Sequence, residues 1–490
     1  MNVRYTVFFT GRILKTVAFL FLFPSLIAII YGEYNNLVAF LPLGAGVFLL
    51  GMLCSLKEPK NKRLSASEGF IIVALSWLTL SLVVAASYRI TGEIGDFVNC
   101  FFEATSGFTT TGASVVSDVE ALSKSVNALR LFTHWVGGMG ILVLVLAIVP
   151  KNQDATTMNI FKAEVPGHSV EKFTSKLAVT AKILYLIYTG MTVVLAISFM
   201  IAKMPVFDSV VHAMSIAGTG GFSVKNGSIG AYNSLAIEII ATVGMFAFGI
   251  NMNIFYLILI GKFTTAIKSE ELRVYVTLFV VSMLITATVL TTNGDYSSFG
   301  EAVRYTSFQT AAIMSTTGMY VVDFSLWPIV CQSIVFILMF IGGSSGSTAG
   351  GLKLSRIMIA SKYIRNQYDN SARPNRVKTI KLEGERLDNQ TVTATMAFFG
   401  LYIVVMLVSL VLVALFDKIG AADNTVFSEK LTAVVTSLSN VGPGFGKLAT
   451  GSYDGFSAAS KIVLSFDMLA GRLEILPMLF LFNPKTWINK

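Results

Sequence analysis

Ser106-Gly-Phe-Thr-Thr-Thr-Gly-Ala-Ser114 is a glycine stretch rich in hydroxyls between two apolar segments, and the chain returns to it three times. The echoes are Ile216-Ala-Gly-Thr-Gly-Gly-Phe222, Met314-Ser-Thr-Thr-Gly-Met-Tyr320 and Leu438-Ser-Asn-Val-Gly-Pro-Gly444. Aligned on Gly112, Gly220, Gly318 and Gly442, they recur at intervals of 108, 98 and 124 residues, too regular for four unrelated turns. Glycine lets backbone carbonyls be approached without a side chain in the way and reaches φ > 0 at little cost. Four such loops at membrane depth suit a path on which carbonyl oxygens replace the water around a cation.

The 490 residues are 54% hydrophobic and 13% charged, with a mean hydropathy of +0.70. That is more apolar than a soluble globular chain usually is, and it indicates a protein with many membrane spans. The net charge of +9 does not form a soluble basic face for nucleic acid, because the basic residues fall between apolar runs. Cys54, Cys100 and Cys331 have no ligand spacing and an odd count, so they are expected to be packing residues rather than a disulfide framework or zinc site.

Spans of about 20 apolar residues are expected at Ile13–Tyr31, Leu37–Leu56 and Gly69–Tyr88. Arg4, Arg12 and Lys15 precede the first, and Lys57, Lys60, Lys62 and Arg63 follow the second, so the positive-inside rule puts the N-terminus and residues 57–67 in the cytoplasm. From Glu68 on, one pattern repeats: a helix, a short half-apolar segment, a glycine loop and a second helix. The half segments are Asp96–Phe108, Phe207–Ile216, Ser298–Met314 and Val426–Leu438, each too short to cross. The second helices are expected at Leu131–Val149, up to Gly261, from Phe324 and over Ala458–Leu481. The expected architecture is an all-α polytopic membrane protein with two extra spans (1–67) before four pore repeats (68–151, 152–262, 263–372 and 373–490). Every glycine loop then falls on the outer side, as parallel repeats about an axis normal to the membrane require.

The loop residues expected to face an ion are Thr110, Thr111, Gly112 and Ala113; Gly218, Thr219, Gly220 and Gly221; Thr316, Thr317, Gly318 and Met319; and Asn440, Val441, Gly442 and Pro443. Threonine stands before the aligned glycine in three loops and Val441 in the fourth, and β-branched residues would stiffen the segment. Glycines that merely allow close helix packing would not require the half segment that precedes each loop.

These residues resemble the Trk/Ktr/HKT superfamily of potassium transporters over residues 68–490, and the two extra N-terminal spans resemble its TrkH branch. The resemblance implies a potassium filter with ions at Thr111, Gly112, Thr219, Gly220, Thr317, Gly318, Val441 and Gly442. Glycine at all four key positions goes with potassium preference in that superfamily. It also implies a homodimer in a bacterial inner membrane with both termini cytoplasmic. A TrkA-type cytosolic subunit would bind the regulatory nucleotide. Potassium is then the transported ion, and this chain, without a Walker or Rossmann motif, would carry no organic cofactor.

Two further features lie below the loops. Gly342, Gly343, Ser344, Ser345, Gly346, Ser347, Thr348, Ala349, Gly350 and Gly351 interrupt what would be one long helix, since glycine at that density breaks helices. A cytoplasmic linker is the plain alternative; the resemblance implies an intramembrane gate. Arg472 sits in an apolar run, where an ionisable side chain is a functional candidate by default. Asp467 and Glu474 are candidate partners without helical pairing distance, and the resemblance points Arg472 into the pore as a barrier. The basic segments 151–176 and Lys353–Arg386 read as solvated loops or as docking surfaces for the regulatory subunit. Asp118, Glu120, Asp295, Asp323 and Asp454 are candidates for concentrating cations at the mouth. His134, His168 and His212 lack metal-ligand spacing.

Two transport modes remain. One is channel-like uptake driven by the membrane potential. The other is a symporter coupling potassium to protons or sodium, for which Asp467, Glu474 and Glu238 are the intramembrane acids available. Paired carboxylates, a His-Glu-x-x-His helix and a nucleophile elbow are all missing from the sequence, so nothing favours an enzyme.

Overall fold

The computed structural model describes residues 3–57, 59, 66–140, 177–372, 379–419 and 426–484. Helix α1 (Val3–Ala18) runs through a 3-10 turn into α2 (Leu22–Tyr31), forming a single 29-residue apolar span, and α3 (Tyr34–Cys54) returns beside it. Gly11 and Gly51 let these two spans approach so closely that a Cβ on Gly51 would lie 2.7 Å from the Gly11 carbonyl oxygen.

Beyond them the chain builds four units of one plan. The first comprises α4 (Ala66–Thr91), α5 (Phe97–Phe108) and α6 (Lys124–Gly138), and the second α7 (Leu177–Ile201), α8 (Val206–Ala217), α9 (Leu235–Phe248) and α10 (Met252–Leu259). A short α11 (Phe263–Lys268) leads to the third, built from α12 (Glu270–Thr292), α13 (Phe299–Met314) and α14 (Ile329–Ile341). Next come α15 (Leu354–Ala372) and a small antiparallel hairpin of β1 (Lys381–Leu382) and β2 (Glu385–Arg386). The fourth unit holds α16 (Asn389–Ile419), α17 (Phe427–Leu438), α18 (Ala458–Arg472) and α19 (Leu476–Phe482). Six helices among the described residues are long and apolar enough to cross a membrane.

The half segments α5, α8, α13 and α17 are buried helices of 12, 12, 16 and 12 residues, close to the expected bounds. Three of their starts are capped: Asp96 accepts from the Asn99 N–H, Ser298 from that of Glu301, and the Glu429 carboxylate reaches back to the Val426 N–H. Aromatic and aliphatic side chains of α4, α5, α17 and α18 form the largest core cluster, around Trp77, Phe102, Phe108 and Tyr453.

Three of the returning helices depart from the sequence reading, while α14 ends at Ile341, where the interruption was expected. All four are short: α6, α9, α14 and α18 have 15, 14, 13 and 15 residues, about 20 Å at 1.5 Å per residue, short of a ~30 Å hydrocarbon core. The helix read as running to Gly261 turns by 95° between α9 and α10. The one read over Ala458–Leu481 breaks where Glu474 and Ile475 both take φ > 0, ahead of Pro477. The continuation of Leu131–Val149 beyond residue 140 lies outside the described residues, as do His168, the whole basic 151–176 segment and Lys60, Lys62 and Arg63. A broken returning helix is therefore not peculiar to the third unit. Among the described residues, that unit is set apart by the twelve residues of irregular chain, Gly342 to Lys353, on the far side of its break. The Lys353–Arg386 segment, read as a loop, is largely helix α15 with the hairpin behind it.

Candidate functional site

The C-termini of α5, α8, α13 and α17 converge and end in the same way. In each, one N–H bonds three residues back and the next bonds five residues back: Thr110 to Gly107 and Thr111 to Ser106, Thr219 to Ile216 and Gly220 to Ser215, Thr316 to Ile313 and Thr317 to Ala312, Asn440 to Ser437 and Val441 to Thr436. This is the Schellman ending, which places its C′ residue in the left-handed region. Thr110, Thr219, Thr316 and Asn440 have φ of 55°, 55°, 56° and 54°. For three β-branched residues that conformation is strained by roughly 1–3 kcal/mol each. It is kept four times over because it turns the next two peptides across the helix ends.

The equivalence corrects the sequence alignment in the second loop. Gly112, Gly221, Gly318 and Gly442 occupy one position, with φ of 81°, 86°, 71° and 92°, and Gly220 matches Thr111, Thr317 and Val441 instead. The intervals become 109, 97 and 124, and the residue before the equivalent glycine is Thr, Gly, Thr and Val.

These glycines close a ring. A Cβ on Gly112 would lie 2.1 Å from the Gly220 carbonyl oxygen, one on Gly221 2.0 Å from that of Thr317, one on Gly318 2.0 Å from that of Val441, and one on Gly442 2.4 Å from that of Thr111. Each loop thus presses its glycine on the carbonyl of the next, in chain order, and any side chain would break the contact. Ala113, Met319 and Val441 are fully buried beside it. The Gly442 carbonyl is held by the Tyr453 hydroxyl at 2.7 Å, and Asn440 Nδ2 donates to Thr111 Oγ1 at 3.0 Å, tying the fourth loop to the first.

Behind the ring lies a polar frame absent from the expected site. Glu103 and Arg130 form an ion pair of 2.6 Å, 0% and 1% exposed, and Glu103 also accepts from Ser114 Oγ and the Val115 N–H. The Arg130 guanidinium stacks 4.4 Å from the Phe222 ring centroid. His134 joins the end of α5 to the second loop: Nδ1 is 2.7 Å from the Gly107 carbonyl and Nε2 accepts from the Phe222 N–H. Both charges stand in buried helices of the first unit, where an ionisable residue was the available signal. Placing the return helix at Leu131 instead of Lys124 left Arg130 in a loop.

The ring separates two cavities. Gly112, Gly221, Tyr320, Gly451, Lys225 and Asn226 line one; Trp77, Gly138, Gly350, Gly351, Lys353, Arg356, Arg472 and Glu474 line the other. Irregular chain from Gly342 to Lys353 passes between the ring and the second cavity. Gly343, Ser344, Ala349 and Gly350 are buried, so the backbone is not offered to lipid, and its polar groups find partners on several other elements. Ser344 N–H and Thr348 Oγ1 donate to the carbonyls of Gly249 and Phe248 freed where α9 breaks, and the Met252 N–H donates to the Gly346 carbonyl. Gly350 N–H donates to Thr316 Oγ1 at 2.6 Å, and Gly351 N–H to the Ser439 carbonyl at 2.8 Å, so the segment hangs directly from the third and fourth loops. Ser347 is half-buried, and Ser345 N–H meets Glu271 at 2.7 Å.

Arg472 ends α18 and reaches under the ring. Its guanidinium donates to the carbonyls of Thr348, Gly137 and Gly138 at 2.8, 2.6 and 2.6 Å, joining the crossing segment to the end of α6. Both candidate acids are held elsewhere: Glu474 binds Arg356 at 2.5 Å, and Asp467 accepts from Ser409 at 2.7 Å. Glu238 is paired with Arg304. The mouth acids are tied locally: Asp118 to Asn226, Glu120 to Lys225, Asp323 to Ser325, Asp454 to Ser452. Hydrogen bonds from Asn226 and Lys225 respectively hold the Asp118 and Glu120 carboxyls below the usual carboxylate range. Cys100 and Cys331 are buried as expected, whereas Cys54 is exposed. No cluster of three His, Cys, Asp or Glu that could hold a metal occurs among the described residues.

The family model for TrkH, described as a cation transport protein, matches residues 44–489. The Trk system potassium uptake protein TrkH of Vibrio parahaemolyticus is 32% identical over 498 residues, covering 99% of this chain and all of that one. The protein of that name from Escherichia coli K12 is 31% identical over 95% of both chains. The crystal structure of the potassium transporter TrkH from V. parahaemolyticus superposes with a TM-score of 0.87 at 29% identity over the whole of both chains. With four loops closing one ring inside a multi-pass helical membrane protein, the chain belongs to the TrkH family of cation transport proteins.

Proposed function

We propose that this protein is a channel-like potassium uptake pathway of a bacterial inner membrane, with both termini and the basic hairpin end in the cytoplasm. The closed ring of Gly112, Gly221, Gly318 and Gly442 against the neighbouring carbonyls is the observation that carries this reading. Its oxygens replace potassium hydration at the level of Thr110–Ala113, Gly218–Gly221, Thr316–Met319 and Asn440–Pro443. The membrane potential supplies about 2.3 kcal/mol per charge per 100 mV. The crossing segment Gly342–Gly351 is the gate, and Arg472 is a fixed positive barrier under it. A TrkA-type nucleotide-binding subunit controls the gate, and two copies of this chain assemble with one pore each. The residue limits 68–151, 152–262, 263–372 and 373–490 delimit the pore repeats.

The symporter reading is weakened because two of its three candidate acids are committed to ion pairs, Glu238 with Arg304 and Glu474 with Arg356. Reconstitution distinguishes the two. Rubidium flux into proteoliposomes should follow an imposed potential and exceed sodium flux. Equal sodium and rubidium flux would sink the selectivity, and flux driven by a pH gradient at zero potential would replace the channel with the symporter.

A further inference from the structure

Besides running into α15, where the Leu354 N–H donates to the Gly343 carbonyl and Ser345 Oγ meets Ser355 Oγ, the crossing segment is held by one side chain of α12. Glu271, the second residue of that helix and 8% exposed, accepts the Ser345 N–H at 2.7 Å. Asn251 also hydrogen-bonds the Glu271 carboxyl, and the group that fixes the start of its helix is remote in sequence. The first-turn N–H groups of Glu270 and Glu271 donate at 3.0 and 2.8 Å to the Glu383 carboxylate, which also accepts from Ser269 Oγ at 2.9 Å. A carboxylate at the start of a 23-residue helix meets both the orphan donors and the positive end of its dipole.

Glu383 is an unexpected residue for its place. With Gly384 it makes the two-residue turn between β1 and β2, at φ of 51° and 80°, a geometry that favours Asn, Asp or Gly at the first position. The hydrogen bonds of its carboxylate to α12 account for a glutamate there. The hairpin is seated by Leu382, buried with Tyr275, Met358 and Ile359, and by Lys362, which bridges Glu270 and the Lys381 carbonyl. Because α15 begins immediately after Lys353, the hairpin grips both the helix next to the crossing segment and the helix that holds Ser345.

We propose that Glu271 and Glu383 are gate-positioning residues through which the hairpin 381–386 holds the crossing segment in its present place. The proposal rests on the reading of that segment as the gate. Removing the Glu383 carboxylate frees the first turn of α12, Glu271 loses its fixed position, and Ser345 loses its acceptor. An element that draws the hairpin from α12 acts on the gate by the same route.

The test uses the full chain, with hydrogen exchange of 342–352 in nanodiscs and rubidium flux in proteoliposomes. Glu383→Ala and Glu271→Ala should each raise exchange in 342–352 and basal flux about tenfold, the size expected for losing a charge-assisted hydrogen bond. The double variant should do no more than either single one. Glu271→Gln and Glu383→Gln, which keep an acceptor oxygen, should restore most of the wild-type behaviour, a rescue that general loosening of the fold would not give. If Glu383→Ala fails to assemble, Glu271→Ala and its Gln counterpart carry the test alone. Unchanged exchange in correctly assembled variants overturns the link, whatever the flux does. Raised exchange with unchanged flux supports the link and overturns the gate reading.

Discussion

The ring and the segment that crosses beneath it are both irregular chain in the interior of the bundle, yet they are held in opposite ways. Each ring loop is fixed by its own half helix, through bonds three and five residues back, and by the glycine contact with the next loop. The crossing segment is fixed by partners distant in sequence: Glu271 at 74 residues, Phe248 at 100 and Arg472 at 124. A locally closed structure resists its surroundings. One suspended from several helices moves when any of them moves, so the crossing segment can shift while the ring above it keeps its geometry.

The largest effect is expected at the ring. Gly318→Ala puts a methyl 2.0 Å from the Val441 carbonyl oxygen at a φ of 71°, and rubidium flux should fall to that of empty liposomes. Gly261→Ala has a similar φ of 76° but open space around it, so it should cost about 1–2 kcal/mol and leave flux intact. Equal effects would mean that conformation, and not ring closure, matters. Arg130→Met leaves Glu103 buried without its cation, which should cost about 3–5 kcal/mol, read as a lower unfolding temperature in detergent. A negligible change would show that the frame behind the ring is not needed.

Below the ring the direction reverses. Arg472→Ala, or deletion of Gly346–Gly350, should raise basal flux, by about tenfold if ~1.4 kcal/mol of barrier is lost; unchanged or lower flux at normal expression counts against both barrier and gate. The smallest effect belongs to the mouth. The Lys225 hydrogen bond lowers the Glu120 pKa, so the link stabilises above the ordinary carboxylate range and is lost as pH falls through the lowered value. Lys225→Met should leave flux near neutral pH almost unchanged while removing that acid-side dependence, measured as unfolding temperature against pH. A strong loss of flux at neutral pH would give the mouth charges a larger part than their local pairing suggests.

The half helices, the spans and the four glycine loops were legible in the sequence because they are local matters, set by apolar length and by glycine; the half helices lie within a few residues of the expected bounds, whereas the first span begins at Val3, ten residues before the expected Ile13, because Arg4 and Arg12 were read as flanking charges. The second loop was misaligned by one because Gly220 and Gly221 are adjacent and only φ tells them apart. The returning helices of the second and fourth units were drawn too long because apolar residues continue past Gly249 and Pro477, although glycine and proline both marked the breaks.

From the sequence alone came the four-fold plan, the membrane setting and the residues of the loops, since each follows from composition and short-range stereochemistry. Only the tertiary structure decided that the ring closes in chain order, that Glu103, Arg130 and His134 brace it, and that Arg472 binds carbonyls of the crossing segment and of α6. Those contacts join residues up to 335 positions apart, and no local propensity encodes which distant carbonyl a guanidinium will meet when the helices pack.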